Sequence, residues 1–159
     1  MKPFLTRFLQ GALVLVGLAA LAFLLWEPHV EGRNAHATLS EIYFRDPFLA
    51  YVYLGSTPFF VALYRAFGLL GQLRQNGTVS QETVDALRVM ARCGIALIAF
   101  VALGVVFIVL FGDREDRPAG VFMGLLFTVV SGVLTGVVAM FARNVRRTLA
   151  GGDVGCGVL

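Results

Sequence analysis

Apolar residues gather in four long runs along this chain, about 8–26, 47–64, 93–111 and 118–142. Each approaches the roughly 20 helical residues that cross a hydrocarbon core about 30 Å thick. In lipid, a single segment satisfies all its backbone groups only as a helix. The pattern predicts an all-α integral membrane protein, a four-helix transmembrane bundle that takes residues 1–150 as one domain. Residues 151–159 are Gly-rich and read as a loose tail.

Helical periodicity continues beyond the second run. Ala66, Leu69 and Leu73 recur at helical spacing, and Asn76-Gly77 signals a turn. Ser80 is suited to cap a new helix, with Glu82 favoured in its first turn by the helix dipole. Val84, Leu87 and Ala91 then share one face, and Arg88 and Arg92 another. These signals predict a short cytoplasmic helical hairpin, 66–74 against 81–92, which carries spans two and three out of the membrane. Leu69, Leu73, Val84, Leu87, Arg88 and Arg92 are its candidate partner surface, unless the apolar stripes are used up by packing on each other.

Two spans carry features of their own. Ser56-Thr57-Pro58 falls near the middle of the second. Pro58 removes one backbone hydrogen bond and predicts a bend there. Arg65 follows at the expected inner interface, where a long side chain reaches water cheaply. Ser56, Thr57, Pro58 and Arg65 form the candidate functional kink and interface. In the fourth span Gly120, Gly124, Thr128, Gly132 and Gly136 recur every four residues. Such a face lets another helix approach closely, within the bundle or in a homodimer.

Composition agrees with lipid as the solvent. The chain has 159 residues, 58% of them hydrophobic and 14% charged, against roughly 45–50% and 25% in soluble proteins. The charges are sorted by side. The N-terminus, 65–92 and 143–159 hold nine basic residues and three acids, a net +6; 27–46 and 113–117 hold four and seven, a net −3. The positive-inside rule places both termini in the cytoplasm. The basic balance thus reads as orientation and headgroup attraction, with Arg143, Arg146 and Arg147 facing an anionic leaflet. No nucleic-acid partner is expected.

Candidate chemistry is sparse. The first run is too long for a cleaved signal peptide and reads as a retained span. His29 and His36 lie among acids in the larger outer loop, at a spacing that matches no defined metal site. Cys93 and Cys156 both face the reducing side, so no disulfide is expected. The final Cys156-Gly157-Val158-Leu159 resembles a prenylation box only formally. No span offers Ser56 or Cys93 a base. The chain is read as no enzyme, with no cofactor and no metal.

One resemblance is more specific. Thr57-Pro58-Phe59-Phe60, then Ala62-Leu63-Tyr64-Arg65-Ala66-Phe67-Gly68-Leu69-Leu70, resembles the second-span signature of a bacterial membrane family, domain of unknown function 2975. Val79-Ser80, Thr83-Val84-Asp85-Ala86-Leu87-Arg88 and Asp116-Arg117-Pro118-Ala119-Gly120 agree with it. The resemblance covers about residues 8–150 and implies four spans in a bacterial cell membrane. It implies no reaction. Encoding beside small helix-turn-helix regulators, common in such families, associates the family with regulation.

Two functions follow as expectations. The first is a regulatory or partner-binding component of the bilayer, with a protein partner or a second copy. The alternative is an oligomeric small-solute transporter or channel, for which Ser56, Thr57, Thr128, Ser131 and Thr135 are the midplane polar groups.

Overall fold

A computed structural model of the chain describes residues 3–30, 47–76, 80–111 and 117–153. All of them except Ser80 are helical. The elements are α1 (Pro3–Val30), α2 (Pro47–Asn76), α3 (Gln81–Phe111) and α4 (Arg117–Asp153). The expectations for His36, Gly77, Cys156 and residues 112–116 fall outside the described residues.

Local chemistry accounts for the helix starts. α1 opens on Pro3, α2 on Pro47, and α4 has Pro118 as its second residue. Proline costs nothing in a first turn, where its missing N–H has no helical acceptor. Before α3, the Thr83 N–H donates to the Ser80 carbonyl at 3.0 Å. The Ser80 N–H in turn donates to Thr83 Oγ1 at 3.4 Å, and Glu82 stands in the first turn. Ser80 is therefore the boundary that its residue type indicated.

The helices have 28, 30, 31 and 37 residues, each longer than the run that announced it. At roughly 1.5 Å per residue they extend about 42–56 Å. The segments 66–74 and 81–92 are the ends of α2 and α3, not a separate element. α4 continues past 142 to Asp153, so residues 151–153 of the expected tail are helical.

Among the described residues, three helices are long and apolar enough to cross a membrane, at Phe4–Trp26, Gln81–Phe111 and Arg117–Gly151. α2 has the length but not the apolarity. Tyr51, Tyr53, Ser56, Thr57, Pro58 and Arg65 interrupt it.

Each helix runs antiparallel to its sequence neighbour. α3 packs most heavily on α4, then on α2, and α1 meets α2; other pairs touch only marginally. The helices thus form an open succession without the firm α1–α4 contact that would close a four-helix bundle. Most long apolar side chains in α1, α3 and α4 stay exposed. That is the expected arrangement where the surroundings are as apolar as the side chains.

Among the described residues the buried hydrophobic core lies at one end, where α1 begins and α4 finishes. Val84 is fully buried, Leu87 is 4% exposed, and Leu69, Ala142 and Val145 close around them from α2 and α4. Leu73, Ala86, Met90, Val138 and Leu149 pack against this cluster. Beyond Phe67 on α2, before Ile95 on α3 and beyond Phe141 on α4, no large apolar residue is exposed among the described residues. Three helices therefore converge there into a stem around a buried cluster, while α1 keeps Phe4, Leu5 and Phe8 exposed at the same end.

Candidate functional site

The polar middle of α2 turns inward on its own backbone. Ser56 Oγ donates to the Tyr53 carbonyl at 2.8 Å, and Thr57 Oγ1 donates to the same carbonyl at 3.4 Å. Pro58 has no N–H, so the Leu54 carbonyl loses its helical donor. The helix nevertheless runs through without interruption. Arg65 lies seven residues on and is exposed, so it is not drawn into a site with Ser56 and Thr57. In α4, Thr128 Oγ1 likewise donates to the Gly124 carbonyl at 2.8 Å.

Two tyrosines that were not singled out in the sequence tie α2 to its neighbours. Tyr51 and Tyr53 are two residues apart, about 200° around a helix, so they point in opposite directions. The Tyr51 hydroxyl donates to the Phe100 carbonyl on α3, and its ring tilts against Phe100 with centroids 5.5 Å apart. The Tyr53 hydroxyl donates to the Leu24 carbonyl on α1 at 2.9 Å. Glycines make room for this contact. A Cβ on Gly104 would stand 3.4 Å from Tyr51, and one on Gly55 would stand 3.4 Å from Phe100. The spacing of the two tyrosines was the available signal.

The four-residue glycine pattern divides. A Cβ on Gly120 would meet Ile108 at 3.1 Å, and one on Gly124 would collide with Val105. Gly132 and Gly136 have nothing within 4 Å. Spacing of four advances about 40° per step, because 3.6 residues make a turn. The face therefore rotates off α3 below Thr128. Close approach is taken over by Gly94 of α3, where a Cβ would collide with Thr135. Gly17 of α1 similarly receives Leu63, while Gly11 has no neighbour.

The four aliphatic residues of the candidate partner surface are not available as a surface. Leu69, Val84 and Leu87 are core, with Leu73 packed against them. The hairpin stripes cover each other, and α4 completes the enclosure with Ala142 and Val145. Of the six residues, Arg92 is exposed. Arg88 Nη1 pairs with Asp85 Oδ1 at 3.4 Å, one turn away.

Polar links gather at the same end. Gln72 Nε2 donates to Glu82 Oε2 at 3.1 Å across the α2–α3 connection. Gln10 Nε2 of α1 donates to the Phe67 carbonyl at 3.4 Å. Thr6 is fully buried, and its Oγ1 and Gln72 Oε1 have no partner. Arg74, Arg146 and Arg147 are exposed there with Arg7 and Arg143. Among the described residues no three His, Cys, Asp or Glu side chains gather to hold a metal.

Comparison of the sequence with known proteins matches it to one family. The family model described as "Protein of unknown function (DUF2975)" matches residues 32–148. The chain is 31% identical over 145 residues to "Uncharacterized membrane protein YoaS" of Bacillus subtilis (strain 168). That alignment covers 91% of this chain and 88% of the relative. No solved structure matches. The matched region takes in α2, α3 and nearly all of α4, including the tyrosine pair, the glycine contacts and the stem, and on it this chain belongs to the DUF2975 family of membrane proteins.

Proposed function

We propose that this protein is a four-span component of the bacterial cell membrane, both termini cytoplasmic, that acts by engaging a partner and not by catalysis. The folded stem carries this reading. α2, α3 and α4 extend beyond their apolar stretches and enclose Val84 and Leu87 there. A protein that only filled the bilayer needs no such extension. Its exposed arginines also give the orientation under the positive-inside rule.

α2 serves as the fourth span on this reading. Its tyrosine hydroxyls find carbonyls on α1 and α3, and Ser56 and Thr57 find one on α2 itself. Polar groups paired in this way are tolerated at membrane depth. The same bonds weaken the alternative, an oligomeric transporter or channel. Of its five candidate hydroxyls, Ser56, Thr57 and Thr128 each use their one donor on their own helix, which leaves Ser131 and Thr135 to that reading.

Two measurements test the proposal. In a Cys93→Ala background, a membrane-impermeant maleimide is expected to label Cys156 in inverted vesicles and not in intact cells. Photo-cross-linking from position 92 or 146 in native membranes is expected to capture a discrete protein. Labelling of Cys156 from outside overturns the orientation, and an absence of protein neighbours overturns the partner role.

A further inference from the structure

Arg65 and Arg92 come from different helices but share one flank of the molecule. The contact of α2 with α3 runs through Tyr51 and Gly55 on one side and Phe100 and Gly104 on the other. At about 100° per residue, Arg65 is turned about 60° from that line and Arg92 about 100°, both in the same sense. Antiparallel neighbours wind oppositely when viewed from one end, so turns of one sense lead to one flank. α4 meets α3 on the other flank, through Gly94 and Val105. The register is set by Gly55 against Phe100 and Gln72 against Glu82. It puts Arg65 level with Met90, about 3 Å in height from Arg92. Axes of packed helices lie about 8–10 Å apart, close enough for two long side chains to converge on one group.

No acid answers these two charges among the described residues. Both side chains are exposed, with no ion-pair or hydrogen-bond partner there. The acids nearest on α3 are Asp85 and Glu82, about 10 and 15 Å back along the axis from Arg92. Asp85 pairs with Arg88, and Glu82 accepts from Gln72. In the opposite direction the flank is apolar: Val61 and Leu54 of α2 and Leu103 and Leu110 of α3 follow the arginines, all exposed. Leu54 and Leu103 each lie about 16 Å from their arginine, the depth of one leaflet in a core about 30 Å thick. Phe67 is exposed just outward of Arg65, and α1 exposes Phe8 and Phe4 further out, beyond the Gln10 bond to the Phe67 carbonyl. The two arginines therefore lie at the edge of the hydrocarbon, where a charge is costly unless it is paired.

We propose that Arg65 and Arg92 clamp the phosphate of one anionic phospholipid, with an acyl chain of that lipid lying along Val61, Leu54 and Leu103. Each guanidinium offers a planar fork of N–H donors to phosphate oxygens. A lipid phosphate already stands at this depth, whereas free phosphate would have to leave water to reach it. The proposal rests on α2 lying in the membrane, as read above, and not on the partner role.

Native mass spectrometry of the full chain, released from mixed phosphatidylcholine and phosphatidylglycerol micelles, tests the clamp. One phosphatidylglycerol is expected to be retained in preference to phosphatidylcholine. R65Q/R92Q is expected to reduce that preference at least about tenfold, and R143Q/R147Q, which removes two exposed arginines of α4, less than about threefold. R65K/R92K keeps the charge without the planar fork and is expected to hold an intermediate preference. Circular-dichroism melts establish that each variant folds. Excess inorganic phosphate is expected to leave the retained lipid in place. Absence of a preference in the wild type, equal loss in the two glutamine pairs, or displacement by inorganic phosphate overturns the proposal. Leu54→Trp in a Trp26→Phe background reads α2 separately, with quenching by brominated acyl chains expected. If that quenching is absent, the membrane placement of α2 fails together with the clamp. If it is present and no phosphatidylglycerol is preferred, the clamp alone fails.

Discussion

Leu87→Ala and Leu103→Ala are the same chemical change on one helix, made in two different solvents. Leu87 is 4% exposed inside the stem core, whereas Leu103 is 61% exposed along the apolar stretch of α3. Truncation at Leu87 removes three carbons from a site whose alternative is water. At about 0.8 kcal/mol per buried methylene the transfer part is about 2.4 kcal/mol. The cavity left between Val84, Ala142 and Val145 adds to that, and buried Leu→Ala changes cost about 2–5 kcal/mol in all. We expect about 3 kcal/mol. At Leu103 the side chain exchanges protein for lipid tails of equal apolarity, so only a few dispersion contacts are lost, about 0–1 kcal/mol. Alanine is the best helix former, so neither change disturbs the backbone. Reversible unfolding by dodecyl sulfate in mixed micelles, followed by helical circular dichroism, reads both values. Equal costs at the two sites, or a cost under about 1 kcal/mol at Leu87, would refute the claim that the stem is a water-driven core.

Three further outcomes are expected from the contacts. Gly124→Ala drives a methyl into Val105 and is expected to cost about 1–3 kcal/mol, whereas Gly132→Ala, with open space around it, is expected to change stability by less than about 0.5 kcal/mol; the same unfolding assay compares them. Gly94→Ala is expected to cost a similar, about 1–3 kcal/mol by collision with Thr135, and Thr135→Ala in the same chain to restore part of it, since the Cβ of residue 135 stays 3.0 Å from the new methyl; a double-mutant cycle measures this. Tyr53→Phe removes the hydroxyl bond to the Leu24 carbonyl and is expected to cost about 0.5–1.5 kcal/mol, with faster hydrogen exchange in the outer half of α1.

The sequence determined the helices and most of their boundaries. Runs of apolar residues report directly on lipid, which requires every backbone group to be paired within the segment. Pro47, Ser80 and Pro118 act through contacts within one turn, so residue type alone located them. The sorted arginines were legible for the same reason, since charge at an interface depends on composition and not on packing. Pairing was not legible. The stripe of Leu69, Leu73, Val84 and Leu87 is equally consistent with a docking surface and a core, and only the arrival of Ala142 and Val145 from α4 made it a core. The glycines of α4 look alike in the sequence. Rotation of the face against α3 puts Gly120 and Gly124 in contact and leaves Gly132 and Gly136 open. α2 shows the same limit most clearly: composition left it without an apolar stretch long enough to count as a span among the described residues, and its neighbours decided where Tyr51 and Tyr53 would find their acceptors. Local sequence sets what each helix is, while the partner of each face depends on residues of other helices, from 12 positions away for Gly120 and Ile108 to 73 for Leu69 and Ala142, whose approach no single segment encodes.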